Sequence, residues 1–264
     1  MRKNLMLALV VAAAASLGIA AVASAVSTTL RTGDLIVTFG GTISPKALPK
    51  NKYVPVTANI FGKVETSDKT HPSAFRELEF DVDKDMKVNV KGFPACKGGE
   101  LEARDTKAAL KACGDAVLGS GSADVEIAFP EQRPLKVHSP LTIFNGGEKG
   151  GKVTLFFHIF ITVPAPTAVV TTVTIQRKGS GLHSVAKIPV VAGGSGSGLD
   201  FSFKLGKTYS YKGKKVGYLE ARCPDGVFKA SVNKALFKNE AHTPGVPAQT
   251  VLKGSLAVPC TPKG

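Results

Sequence analysis

The feature that most constrains this chain is a strict alternation of polar and apolar side chains, interrupted at intervals by Gly, Pro, Asn or Asp. Arg76-Glu77-Leu78-Glu79-Phe80-Asp81-Val82-Asp83 is the clearest run, and Met86-Lys87-Val88-Asn89-Val90-Lys91 repeats its period. A period of two gathers the apolar groups on one face of an extended strand, whereas a helix would scatter them around its circumference. The two runs, with Lys84-Asp85 near their junction, predict a half-buried β-hairpin. Ala123 to Phe129, Phe201 to Leu205 and Val227 to Val232 alternate in the same way.

Two stretches depart from the pattern. Val153 to Val163 is apolar on both faces apart from Thr154, His158 and Thr162, and Ala168 to Ile175 is rich in Val and Thr. Both predict central strands covered on two sides. Pro164-Ala165-Pro166 between them suits a connection, because proline has no N–H to give to a ladder. One segment reads as a helix: Asp105 as N-cap, Thr106 to Cys113 with Ala108, Ala109, Leu110 and Ala112, and Gly114 as the stop. The expected fold is therefore all-β, an antiparallel β-sandwich with a jelly roll as the candidate topology and one short α-helix. Residues 26–264 form one domain in this reading, with Gly193-Gly194-Ser195-Gly196-Ser197-Gly198 as a flexible Gly/Ser loop at 193–198.

The start of the chain is an address. Met1-Arg2-Lys3-Asn4 is basic, Leu5 to Val22 is apolar, and Ala23-Ser24-Ala25 is a small-x-small site, which predicts a signal peptide over 1–25 cleaved after Ala25. An uncleaved anchor is the alternative, since the run approaches the ~20 residues that span a bilayer. Its alanine-rich middle argues against retention in lipid. The 4 cysteines, Cys96, Cys113, Cys223 and Cys260, agree with export, where an even number forms disulfides in an oxidising compartment. Three pairings are possible. The near-neighbour one, Cys96 with Cys113 and Cys223 with Cys260, closes two local loops. No C-x-x-C occurs, so a zinc site is not expected.

With 43% hydrophobic and 20% charged residues the chain has the composition of a folded protein and not of a disordered one. Lys and Arg number 34 against 20 acids, a net charge of +14, and the leader takes only Arg2 and Lys3 of this excess with it. A basic protein attracts anionic partners. Lys207-Thr208-Tyr209-Ser210-Tyr211-Lys212-Gly213-Lys214-Lys215 is the candidate contact surface, with Lys207, Lys212, Lys214 and Lys215 supplying charge and Tyr209 and Tyr211 supplying rings that stack. The competing explanation is a hairpin whose edge is charged with lysine to prevent sheet-to-sheet association.

Other motifs lose on context. Gly146-Gly147-Glu148-Lys149-Gly150-Gly151-Lys152 has the spacing of a phosphate-binding loop up to the lysine. Val153 stands where Ser or Thr must meet magnesium, however, and a strand follows where the motif needs a helix. It reads as a hairpin turn. Asp81-x-Asp83-x-Asp85 resembles the opening of a calcium loop but has Met86 at the sixth position, in place of Gly, and Gly92 at the twelfth, in place of Glu. The 5 histidines are dispersed, with no metal spacing. His158, flanked by Phe156, Phe157, Ile159 and Phe160, reads as a buried histidine with a backbone partner in preference to a catalytic base.

Ala74-Phe75-Arg76-Glu77-Leu78 leading to Gly92-Phe93-Pro94-Ala95-Cys96, then Ala109-Leu110-x-Ala112-Cys113 and Val117-Leu118-Gly119-Ser120-Gly121, with Phe144-Asn145-Gly146-Gly147 and Cys223-Pro224-Asp225-Gly226 further on, resemble a family of secreted, disulfide-containing, β-rich proteins of high-GC Gram-positive bacteria, the actinobacteria. The resemblance covers most of the chain after the leader. It implies export, a β-rich fold and two local disulfides, and it lends no activity and no site residues.

Three functions follow as expectations. The first is a secreted, non-enzymatic binding or structural protein of the cell envelope, contacting anionic cell-wall polymer or a membrane surface, with no catalytic residues, metal or cofactor and no specific nucleic acid. The second is a carrier of an apolar ligand or lipid held between the sheets, lined by the Val153 to Val163 strand. The third is a hydrolase whose site is dispersed along the chain.

Overall fold

Strand formation dominates the structure, a computed structural model that describes residues 25–129 and 132–264. In chain order the strands are β1 (Val26–Thr32), β2 (Leu35–Ser44), β3 (Ala47–Pro49), β4 (Val54–Pro55), β5 (Thr57–Thr66), β6 (Ala74–Val82) and β7 (Met86–Val88). They continue with β8 (Val117–Ile127), β9 (Leu135–Lys149), β10 (Lys152–Ile161), β11 (Thr167–Lys178), β12 (Gly181–Lys187) and β13 (Gly196–Leu205). The last are β14 (Thr208–Tyr211), β15 (Lys214–Gly217), β16 (Leu219–Ala221), β17 (Val227–Lys238), β18 (Gln249–Pro259) and β19 (Thr261–Lys263). The one α-helix among the described residues is α1 (Thr106–Cys113), where Asp105 Oδ1 accepts the Ala108 N–H at 2.7 Å as the predicted N-cap. The predicted signal peptide lies outside the described residues, apart from Ala25.

Twelve strands make one antiparallel sheet in the order β1-β2-β5-β13-β8-β9-β10-β11-β12-β6-β17-β18. The all-β class and the single short helix are as expected. The packing of two sheets is replaced by one sheet that curls until its first and last strands, β1 and β18, lie beside each other, with Cα atoms within 8 Å. The result is nearly a barrel. Alternation explains the closure: apolar residues of every strand need cover, and a sheet that curls on itself covers its own inner face.

Tight turns set the register. Gly150 and Gly151, at φ 60° and 74°, form the two-residue loop between β9 and β10, where Lys149 faces Lys152. Both central residues need positive φ in such a turn, which is why glycine stands twice in the sequence resembling a phosphate loop. The hairpin expected from Arg76–Asp83 and Met86–Lys91 does not form. Both edges of β6 are taken by β12 and β17, while β7 pairs with β16. Asp85 redirects the chain: its buried carboxylate accepts from Arg222 Nε at 2.7 Å, and its N–H donates to Asp83 Oδ1. The Gly/Ser stretch is also more ordered in role than a loop, since Gly196, Ser197 and Gly198 belong to β13 and pair with Ile127, Glu126 and Val125 of β8.

The disulfides join Cys96 to Cys113 and Cys223 to Cys260, and no free cysteine remains. The first staples α1 and its flanking turns over the outer face of β9 and β10. There Leu101, Ala109, Cys113 and Ala116 bury Phe144, with Phe156 packed alongside. This is the second covering of the strand that is apolar on both faces. Leu155, Phe157 and Ile159 point into the barrel, while Phe156 and His158 lie under the stapled helix.

Candidate ligand-binding cavity

Inward side chains fill the two ends of the barrel and leave its middle hollow. At one end Phe75 stacks on Phe237 with ring centroids 4.8 Å apart and meets Phe39 at 6.5 Å. Behind them Arg76, also buried, donates through Nε to Glu240 Oε1 at 2.9 Å, through Nη2 to Glu240 Oε2, and through Nη1 to the Pro189 carbonyl at 2.6 Å. Glu240's carboxyl is held below the usual carboxylate range, first by its hydrogen bond from Arg76.

The other end is closed by the small sheet β4-β16-β7 together with Phe93, whose ring meets Tyr218 edge-on at 5.4 Å. Tyr218 is fully buried, and its hydroxyl donates to Asn145 Oδ1 at 2.9 Å. Asn145 Nδ2 in turn donates to the Pro94 carbonyl at 2.7 Å, and Oδ1 also accepts the Gly147 N–H at 3.1 Å. Burial pushes the Tyr218 phenol far up, so it stays protonated and remains a donor. A fully satisfied buried network of this kind fixes one arrangement of the floor.

Between these plugs lies a cavity of ≈ 360 Å³. Leu155, Phe157 and Ile159 of β10 and Val169 and Val173 of β11 form one wall; Ile60 of β5, Phe203 of β13 and Leu256 of β18 contribute to the others. The volume falls in the range of about 300–1,000 Å³ usual for small-molecule sites. Of the polar residues in its lining, Thr28, Thr171 and Arg76 face inward, with Arg76 already bonded to Glu240 and Pro189, while Thr42, Asn59, Asp124, Asp200 and Lys229 alternate to the outer face and meet the cavity only at its margin. The lining thus suits hydrocarbon and offers little to a charge.

The outer face has the opposite character. Glu77, Glu79 and Asp81 of β6, Lys63 and Glu65 of β5, and Ser202 and Lys204 of β13 point outward by alternation. Polar outside and apolar inside is the reverse of a transmembrane barrel. Among the described residues no helix is long and apolar enough to cross a membrane.

The lysine–tyrosine segment forms the β14–β15 hairpin, with Lys212 and Gly213 in its turn. Lys207, Lys212, Lys214 and Lys215 are exposed. The tyrosines are occupied: Tyr209 donates to the Lys91 carbonyl at 3.0 Å and packs edge-on against Phe93 at 5.0 Å, and the Tyr211 ring lies where a Cβ on Gly92 would be. The hairpin presents cationic charge without free stacking rings.

His158 is fully buried under α1, on the outer side of β10 and away from the cavity. Its Nε2 donates to the Arg104 carbonyl at 3.0 Å, and Nδ1 has no partner. Burial pulls its pKa below the ordinary value. His71, His138 and His183 pair with Glu126, Asp124 and Asp81 at outward positions of the sheet. Asp81, Asp83 and Asp85 each hold a different partner, so they do not converge as a calcium loop would. The cavity was legible only as a strand apolar on both faces; the strands that complete its wall are far apart in the chain.

Comparison with protein-family models, with curated proteins and with solved structures finds no match for this chain.

Proposed function

We propose that this is an extracytoplasmic, non-enzymatic binding protein that carries one apolar molecule inside the barrel. The hollow, almost wholly apolar interior carries the reading. Protein interiors are ordinarily close-packed. At roughly 24 cal/mol per Å³ of void, a dry and empty cavity of ≈ 360 Å³ costs on the order of 9 kcal/mol, comparable to the whole stability of a typical domain. An occupant that restores contacts along the wall offsets that cost. Two disulfides support an oxidising, extracytoplasmic location.

The test is titration with the neutral fluorophore N-phenyl-1-naphthylamine, alongside native mass spectrometry of the purified protein. Saturable binding of one probe per chain is expected, weakened at least tenfold by Val173→Phe, which takes up part of the cavity, with no loss of Tm. Absence of saturable binding, or binding indifferent to that substitution, overturns the reading.

Attraction to the anionic polymer of a cell envelope is a second proposal, resting on the four exposed lysines of the β14–β15 hairpin. Cosedimentation with purified cell walls at low salt, lost at high salt, is its expected result; no association at low salt overturns it.

A further inference from the structure

The barrel has one seam. β1 and β18 end the strand order, and among the described residues no backbone hydrogen bond joins them. Every other neighbouring pair in the wall is laddered, so parting the wall elsewhere breaks backbone hydrogen bonds, whereas parting it here breaks none. The seam is narrow: inserting another strand would need about 9.6 Å between β1 and β18, two strand spacings, and their Cα atoms approach within 8 Å. It is a slit, not a docking edge for a peptide.

The cavity reaches this slit over part of its length. Thr28 of β1 and Leu256 and Val258 of β18 line the cavity and are also partly exposed. Next to that stretch Leu30 of β1, packed on the cluster of Phe39, Phe75 and Phe237, occupies the seam. A Cβ built on Gly254 would stand 2.7 Å from Leu30 Cδ2, so the glycine provides the space in which the leucine side chain rests. The two barrel ends offer no comparable route, being plugged by Phe75, Phe237 and the Arg76–Glu240 pair on one side and by the Tyr218–Asn145 network on the other.

We propose that ligand enters and leaves through the β1–β18 seam tail first, with Leu30 as the closing side chain, and that the ligand class is a single-chain amphiphile whose polar end stays at the seam. This rests on the cavity being the ligand site. The polar end remains outside because the interior side chains give it almost nothing to bond. At the seam, two strand edges present unpaired N–H and C=O groups beside water.

The probe is 11-(dansylamino)undecanoic acid, which bears its fluorophore at the end of the chain away from the carboxylate. Tail-first binding places the dansyl group in the cavity, with blue-shifted emission and at least fivefold less quenching by iodide than the free probe. In stopped-flow mixing, Leu30→Ala should raise association and dissociation rates together, about tenfold, leaving Kd within twofold. Leu30→Trp should lower both rates. Gly254→Leu tests the same contact from β18 should either Leu30 variant fail to fold.

Rates unchanged in these variants, or a change in Kd without matched rates, overturn the seam as the route. A dansyl group open to iodide overturns the tail-first assignment, as does failure of this probe to bind a protein that binds N-phenyl-1-naphthylamine. If neither probe binds, the carrier reading itself fails, and the seam proposal with it.

Discussion

Acid should destabilise this protein through one side chain before its carboxylates matter. His158 is fully buried, its Nε2 proton is given to the Arg104 carbonyl, and Nδ1 faces no acceptor. Protonation would add both a buried charge and a donor without a partner, and burial accordingly depresses the pKa from the ordinary 6.5. The unfolded chain binds a proton at residue 158 as pH falls through 6.5, while the folded chain resists it. Stability therefore rises with pH in this window, is complete above it, and is lost below it at up to about 1.4 kcal/mol per pH unit until the folded pKa is reached. Between pH 6.5 and 5 the loss amounts to at most about 2 kcal/mol.

Urea unfolding of the wild type and of His158→Gln at pH 7.5 and pH 5 isolates this contribution, because every other titrating group is common to both. The variant's amide can still donate to Arg104. The wild type should lose up to about 2 kcal/mol more than the variant between these two pH values. Equal losses would refute the assignment of a neutral, sealed imidazole.

Removing Cys223–Cys260 as a double serine variant should cost about 4 kcal/mol and removing Cys96–Cys113 about 3 kcal/mol by loop entropy, because the sequence separations are 37 and 17; denaturant midpoints check the order. Gly121→Ala should destabilise by about 1–3 kcal/mol, since its Cβ would overlap the Ser202 carbonyl. Gly198→Ala, with nothing within 4 Å, should be nearly neutral, and thermal melts distinguish the pair. Arg76→Met should cost about 3 kcal/mol, the low end for breaking a buried pair, because Glu240 retains 24% of its side-chain exposure. The depressed Glu240 carboxyl contributes stability above its unfolded pKa and loses it as pH falls through its folded pKa. The Arg76→Met variant should thus show a shallower acid limb in urea unfolding.

Local chemistry was legible in the sequence and pairing was not. Asp105 as N-cap, the Gly150-Gly151 turn and the alternation of β6, β8, β13 and β17 all depend on neighbours within a few residues. Alternation states which face a residue occupies, but it says nothing about which strand lies alongside. Hence β6 was expected to pair with the next run, although its edges belong to β12 and β17. Arg76 and Glu240 lie 164 residues apart, so no local pattern could join them. The tyrosines of the β14–β15 hairpin looked free because Gly92 and Phe93, which receive them, come from a distant segment.

The hollow interior follows from strand number and side-chain size together. Around eight strands, inward side chains suffice to fill a barrel, and its diameter grows roughly in proportion to the strand count. Twelve strands therefore need larger inward residues to pack solid. This chain supplies the reverse at mid-height: Gly41, Ala58, Ala123, Ala186 and Ala230 all line the cavity, contributed by five different strands. Its large rings are kept for the ends, with Phe75 and Phe237 at one and Phe93 and Tyr218 at the other. A chain selected only for stability would gain by exchanging the four alanines for larger apolar residues that fill the void, whereas at Gly41 a Cβ would stand 2.8 Å from the Asn59 carbonyl oxygen. Small residues inside a wide wall, with aromatics gathered at both ends, leave the space that the proposed carrier role requires.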